Sequence, residues 1–287
     1  TCFMPLGWLE TVCIDIESNG MLGYSTIFNH LVEPRLLINA PWLGISVNGE
    51  TCVLVTDSKG KEHRPLHRET GVFPPLDYSP AFFDTGLGDV RVARSIDYFG
   101  HYPILDMEFD TELPVEIGVR AWSPLLPGDT ETSMTPAAVL EIALRNRTYT
   151  VKAGTVALSF PGFDNPRAKA NPPSKRQKVE GQLAGVSVQT FDDASVNMQY
   201  VLAAIRDNDV RTGGWLGNNG RAWKSIERGL PSADGSGATI ALDYRLQPGE
   251  STARSVVLAW YAPRWNADGS PSVDSPLRFT HMYARHF

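Results

Sequence analysis

Apolar and polar residues alternate with a period of two along nearly the whole chain. The pattern is clear at Cys13-Ile14-Asp15-Ile16-Glu17. Successive side chains of an extended chain point to opposite faces, so this alternation predicts half-buried β-strands. Asn19-Gly20 separates the first strand from a second over 21–28, and Asn48-Gly49 separates 45–47 from 51–55. Both central positions of a two-residue hairpin turn need positive φ, which Asn-Gly tolerates, so each dipeptide predicts a hairpin. Further strands are predicted over 90–98, 104–110, 115–122, 138–145, 151–160, 183–191, 199–205, 239–246 and 255–261. Gly100, Leu113-Pro114, Asn146 and Pro248-Gly249 punctuate them as turn residues. The best helical candidate is 222–228, about two turns. No fixed-period repeat is present.

Strands without intervening helices imply antiparallel sheets, and this many imply two large packed ones. The predicted fold is all-β, a large antiparallel two-sheet β-sandwich of supersandwich-like type. A length of 287 residues alone suggests two domains, but sandwiches of this order form single units. The expected organisation is therefore one domain over 1–287 with a loop insertion near 163–180. Trp42, Trp122 and Trp260, within or at the ends of apolar strands, read as core.

Composition narrows the function classes. Apolar residues make up 42% of the chain and aromatic residues 10%, too many for a disordered protein. No stretch approaches the ~18 uncharged apolar residues of a membrane span, so no transmembrane segment is expected. The 26 basic and 32 acidic residues give a net charge of −6, which argues against nucleic acid as a partner. Lys175, Arg176 and Lys178 form the one dense basic cluster, and the preceding Asn171-Pro172-Pro173 makes it read as a solvated loop. Cys2, Cys13 and Cys52 cannot form a fully paired framework and read as reduced thiols, with a Cys2–Cys13 bridge open in an oxidising compartment. Asn146-Arg147-Thr148 is a glycosylation sequon, relevant only in a eukaryotic secretory setting. No signal peptide opens the numbering, and localisation stays open between cytoplasm and periplasm.

Candidate chemistry is sparse. His63 and His67 are the only close histidine pair, but they lie in a Pro-containing segment where helical co-facing does not apply, so no metal is expected. Gly86-Leu87-Gly88 lacks the following glycine and helix of a phosphate loop, and no cofactor is expected. No Gly-x-Ser-x-Gly elbow is present. Glu108/Asp110, Asp192/Asp193 and Asp207/Asp209 are carboxylate pairs of the kind glycoside hydrolysis uses. On a two-sided sheet, however, alternation places such residues on the solvated face in any case. The polar, glycine-rich segment 213–220 carries Trp215 and is followed by Trp223, and both are candidates for stacking on a sugar ring.

Met4-Pro5-Leu6-Gly7, Cys13-Ile14-Asp15-Ile16, Asn19-Gly20 and Ile27-Phe28-Asn29-His30 resemble the opening of glycoside hydrolase family 116. This is the β-glucosidase family that includes the non-lysosomal glucosylceramidases. Tyr102-Pro103, Ala121-Trp122-Ser123-Pro124-Leu125-Leu126-Pro127, the strand over 136–146 and the segment 255–263 agree in order, so the resemblance covers essentially the whole chain. It implies an amino-terminal β-sandwich that packs, in the full enzymes, against a helical (α/α)6 catalytic barrel. There the nucleophile and acid/base belong to the barrel. No position here matches either motif, so no catalytic residue is assigned. Residues 280–287 resemble the run-out toward the linker, and the chain is expected to be half of an enzyme. One departure stands out: Trp8-Leu9-Glu10-Thr11-Val12 replaces the family's glycine-rich run with bulky residues. That substitution makes Trp8 and Glu10 candidates for the domain junction.

Two readings follow. The leading one is a non-catalytic sandwich supporting a helical catalytic domain, of the same enzyme or a companion chain, which acts on a β-glucoside. The alternative is a stand-alone carbohydrate-binding module, resting on the tryptophans and the 213–220 loop.

Overall fold

The computed structural model describes residues 3–8, 11–28, 36–56, 87, 90–163, 173–190, 198–207, 209–266 and 278–286. They fold mostly as strands. The chain opens with β1 (Phe3–Trp8), β2 (Val12–Glu17), β3 (Met21–Ser25) and β4 (Leu36–Pro41). β5 (Leu43–Val47), β6 (Glu50–Thr56), β7 (Arg91–Ala93), β8 (Ser95–His101), β9 (Ile104–Asp110) and β10 (Val115–Trp122) follow. After the single turn α1 (Thr130–Ser133) come β11 (Ala137–Asn146), β12 (Lys152–Phe160), β13 (Ser174–Val179), β14 (Leu183–Thr190), β15 (Gln199–Ile205) and β16 (Val210–Gly214). The short α2 (Gly220–Lys224) precedes β17 (Ala238–Leu246), β18 (Ser251–Tyr261), and the small pair β19 (Arg264–Asn266) and β20 (Arg278–Thr280).

Three larger sheets result. β1 to β4 form one in sequence order; a second is ordered β16-β17-β12-β5-β6-β7, and the largest β13-β14-β15-β18-β11-β10-β9-β8. In the largest, β18 lies between two meanders, pairing with β11 on one side and β15 on the other. One continuous core links all three sheets. The sandwich expectation holds, and both Asn-Gly hairpins form where predicted. At the second turn Asn48 and Gly49 both take positive φ, 50° and 88°.

β9, β10, β11 and β18 bury alternate residues, as a sheet with one face on a core must. The six-stranded sheet differs, since β5, β6 and β12 carry unbroken buried runs. Its outer face holds a second apolar cluster of Val53, Val55, Ala157, Ala241, Leu216, Trp223 and Ile226, with α2 as its cover. This explains the run Cys52-Val53-Leu54-Val55, in which no polar residue alternates. Cys52 is a free thiol, and burial pushes its pKa up to about 12 against the pull of Arg91. Cys2, and with it the Cys2–Cys13 pairing, lies outside the described residues.

The structure corrects three sequence expectations. The strand over 90–98 breaks at Arg94, whose N–H donates to the Asp110 carbonyl at 2.7 Å and whose guanidinium pairs with Asp110 and Glu112. The break lets the chain change sheets, and β7 pairs with β6 in parallel. Residues 174–179 form an edge strand, not a loop, and its lysines are a common means of blocking edge-to-edge pairing. Trp42 and Trp260 are buried as expected, at 5% and 2% exposure. Trp122 is half-buried on the outer face, because Ala121 already points inward.

The turn joining β1 to β2 carries backbone strain. Val12 sits at φ 61°, opposite Trp8. A β-carbon on the facing Gly7 would stand 1.9 Å from the Val12 carbonyl oxygen. The turn is held by Trp260, whose indole N–H donates to the Thr11 carbonyl at 2.7 Å, and by the Tyr102 hydroxyl, which donates to the Gly7 carbonyl at 3.0 Å. Left-handed backbone costs a non-glycine residue about 1–2 kcal/mol. Val12→Gly and Val12→Ala both remove the buried side chain, but only glycine relieves the strain. Val12→Gly is therefore expected to exceed Val12→Ala in stability by about 1 kcal/mol in urea unfolding, the reverse of the usual strand order. An alanine variant as stable as the glycine variant would refute the strain.

Candidate functional site

Among the sequence candidates whose side chains are described, Trp215 meets solvent as a large aromatic, at 42% exposure. Its position follows from its neighbours. Gly213 and Gly214 end β16 against the segment 230–232, where a β-carbon would stand 2.3 Å from Leu230 and 2.1 Å from the Ser232 carbonyl oxygen respectively. Gly214 N–H donates to the Pro231 carbonyl, and Leu216 N–H to Ser159 Oγ, both at 2.9 Å. With Gly214 and Leu216 buried, Trp215 between them is turned outward. Its ring lies beside Gly217, whose carbonyl accepts the Trp223 indole N–H at 2.9 Å.

Trp223 itself is fully buried at 0% exposure, with its ring against Gly44. It has no surface to offer a ligand and supports the Trp215 ledge from beneath. Asn219 caps α2, its side-chain oxygen accepting from the N–H groups of Arg221 and Ala222.

Sequence reasoning missed Arg176. On β13 it faces the six-stranded sheet and donates to the carbonyls of Gly213 at 3.2 Å, Gly235 at 3.1 Å and Gly237. These carbonyls belong to the two chain segments flanking Trp215. A guanidinium has five donors in a fixed fork, so one side chain can join segments that share no ladder. A period-two reading of Ser174–Val179 would have turned Arg176 away from Lys175, but the segment has no apolar alternation to prompt it.

Among the described residues, the carboxylate pairs do not gather into a cleft. Glu108 and Asp110 share the exposed face of β9, with Asp110 paired to Arg94 at 3.1 Å. Asp207 closes a turn by accepting the Asp209 N–H at 3.3 Å and lies 3.6 Å from Arg254. Asp243 is held by Arg211 at 2.7 Å and accepts from Thr155 at 2.5 Å. Burial opposes its ionisation, yet the hydrogen bonds from Arg211 and Thr155 and the Arg211 charge prevail and keep its pKa low. Arg211 also donates to the Ile226 carbonyl at 2.8 Å, so this group fastens the α2 cover to its sheet. Between the sheets lies an apolar cavity of about 30 Å³ lined by Leu6, Ile14, Trp42, Ala138, Leu202 and Leu258. It is the size of a packing void rather than of a sugar site.

Trp8 closes β1 opposite Val12. Glu10, His63, His67, Asp192 and Asp193 lie outside the described residues. Among the described residues, no cluster of three or more His, Cys, Asp or Glu could hold a metal, and no helix is long and apolar enough to cross a membrane.

No curated protein matches the sequence. Among solved structures, a candidate kojibiose phosphorylase from the human microbiome is similar over 90% of this chain and 29% of its own, at 9% identity and TM-score 0.45. The GH36 alpha-galactosidases AgaA and AgaB of Geobacillus stearothermophilus each match 91% of this chain at 10% identity. Their TM-scores are 0.35 and 0.34, over 40% and 39% of their lengths. The chain thus spans well under half of each of these proteins. Residues 4–287 match the family described as beta-glucosidase 2, glycosyl-hydrolase family 116 N-term, and the chain belongs to that family.

Proposed function

We propose that the chain is a non-catalytic β-sandwich that supports the helical catalytic domain of a β-glucosidase-type glycoside hydrolase. The observation that carries this reading is the match of residues 4–287 to an amino-terminal domain family. The described carboxylates support it, since those named above close turns, fasten elements or lie on an open sheet face. In this role the sandwich positions the barrel, and the β-glucoside reaches the enzyme through the barrel.

The exposed Trp215 favours a second reading, in which the ledge itself binds a glycan. One set of measurements separates them. The isolated chain is expected to show no turnover of an aryl β-glucoside; turnover abolished by Glu108→Gln or Asp110→Asn would overturn the non-catalytic reading. Calorimetry against a β-glucan and glucoside panel is expected to give no binding. Binding that disappears in Trp215→Ala would establish the second reading instead.

A further inference from the structure

The two edges of the eight-stranded sheet are built differently. β13 closes one edge and carries Lys175 and Lys178. β8 closes the other with Ser95-Ile96-Asp97-Tyr98-Phe99-Gly100-His101, which holds no lysine, arginine or proline. Among the described residues, no strand pairs with the outer side of β8. Its register decides which groups that side presents. Tyr102-Pro103 is a two-residue turn, so His101 and Ile104 exchange both ladder hydrogen bonds. Phe99 and Asp97 do the same with Asp106 and Glu108, since hydrogen-bonded pairs alternate along an antiparallel ladder. The backbone groups of the intervening residues, Gly100 among them, therefore point away from β9. Asp97, Phe99 and His101 stand together on the exposed face, with Phe99 at 56% exposure. Asp97 also faces a like charge, Glu108, across the ladder, an unfavourable pairing.

We infer that β8 pairs antiparallel with β8 of a second copy of the chain, about a two-fold axis at Phe99. This centre makes the edge complementary to itself. It sets Phe99 against the partner's Phe99, and on either side Asp97 against the partner's His101. A centre at Asp97 would bring two carboxylates face to face, and one at residue 98 would set Asp97 against a phenyl ring. Because Phe99 and Asp97 bond to β9, they fall across the axis in non-hydrogen-bonded pairs, where Cα atoms are ~4.5 Å apart and side chains are closest. Aromatic pairs and opposite-charge pairs are favourable at such positions. An imidazole keeps an N–H in either protonation state, so the partner's His101 donates to Asp97 and offsets the neighbouring Glu108. The contact is isologous and closes at two copies, leaving the lysine-bearing β13 as the free edge of each protomer. So short a seam falls below the ~1,600 Å² of a standard complex, and micromolar rather than nanomolar association is expected.

Oxidative cross-linking tests the register. Phe99→Cys lies opposite itself, within the ~4.4–6.8 Å between Cα atoms that a disulfide spans, and should give covalent dimers. Asp97→Cys stands roughly 13 Å along the seam from its own copy and should not. Asp97→Cys mixed with His101→Cys should cross-link again. Peptide mass locates each bond, so bridges through the native cysteines are set apart. Sedimentation equilibrium of the unaltered chain should show a concentration-dependent dimer. Phe99→Lys brings two ammonium groups together on the axis and should weaken that dimer at least ~10-fold while the melting transition stays in place. An unaltered chain that remains monomeric up to ~1 mM overturns the inference. So does a dimer in which Phe99→Cys fails to cross-link, or one in which Asp97→Cys alone cross-links as readily, since the seam then lies elsewhere or in another register.

Discussion

Trp223→Ala should destabilise the chain by about 4 kcal/mol, lowering the melting temperature by roughly 8–16 °C. The estimate follows from where the ring sits. It is fully buried in the outer cluster with Val53, Val55, Leu216 and Ile226 and lies directly on Gly44, a position where no side chain fits. Truncation empties that space and also deprives the Gly217 carbonyl of its donor. Trp223→Phe should fall between, since it keeps most of the ring but not the N–H. The loss should reach the surface, because Gly217 backs the Trp215 ring, and Trp215 fluorescence should shift to the red in the alanine variant before unfolding. A Trp223→Ala protein that melts with the wild type would remove Trp223 from the core and return it to the ligand candidates.

Asn146 is the second position where a large effect is expected. It is fully buried, and its amide nitrogen lies within hydrogen-bonding distance of the carbonyls of Thr150 at 2.8 Å, Gln247 at 3.0 Å and Leu246 at 3.3 Å. Its side-chain oxygen accepts the Thr148 N–H at 2.9 Å and hydroxyl at 2.8 Å. The residue thus ties the turn after β11 to the turn after β17. Asn146→Asp replaces the donor with an acceptor facing three acceptors, at an expected cost of about 3 kcal/mol in urea unfolding. The same contacts close the sequon. A glycan on that nitrogen has no room in the folded chain, so the folded fraction secreted from a eukaryotic host should carry the unmodified mass. Glycan on Asn146 in folded, secreted protein would disprove the assignment.

Local rules made much of this fold readable. Both Asn-Gly turns and the alternation of β9 to β11 depend on neighbours in sequence, and they appear where expected. What stayed hidden depends on distant partners. Nothing near Trp223 announces Gly44, and the glycine-rich stretch before it resembles a loop because its apolar residues meet strands far away in the chain. Arg176 looked solvated because its partners are carbonyls from three separate glycines.

The place of β18 bears on how the chain is made. Until residue 261 has left the ribosome, the meander from β8 to β11 and the one from β13 to β15 each end in an open edge. Those edges, at β11 and β15, are rich in Ala, Val, Leu and Ile and carry the polar groups that β18 will later satisfy. At ordinary translation rates the ~50 residues after β15 take on the order of 3–10 s to appear. For that interval the nascent protein offers two sticky strands, each open along one edge, and crowded polysomes become the setting in which it is most exposed to aggregation.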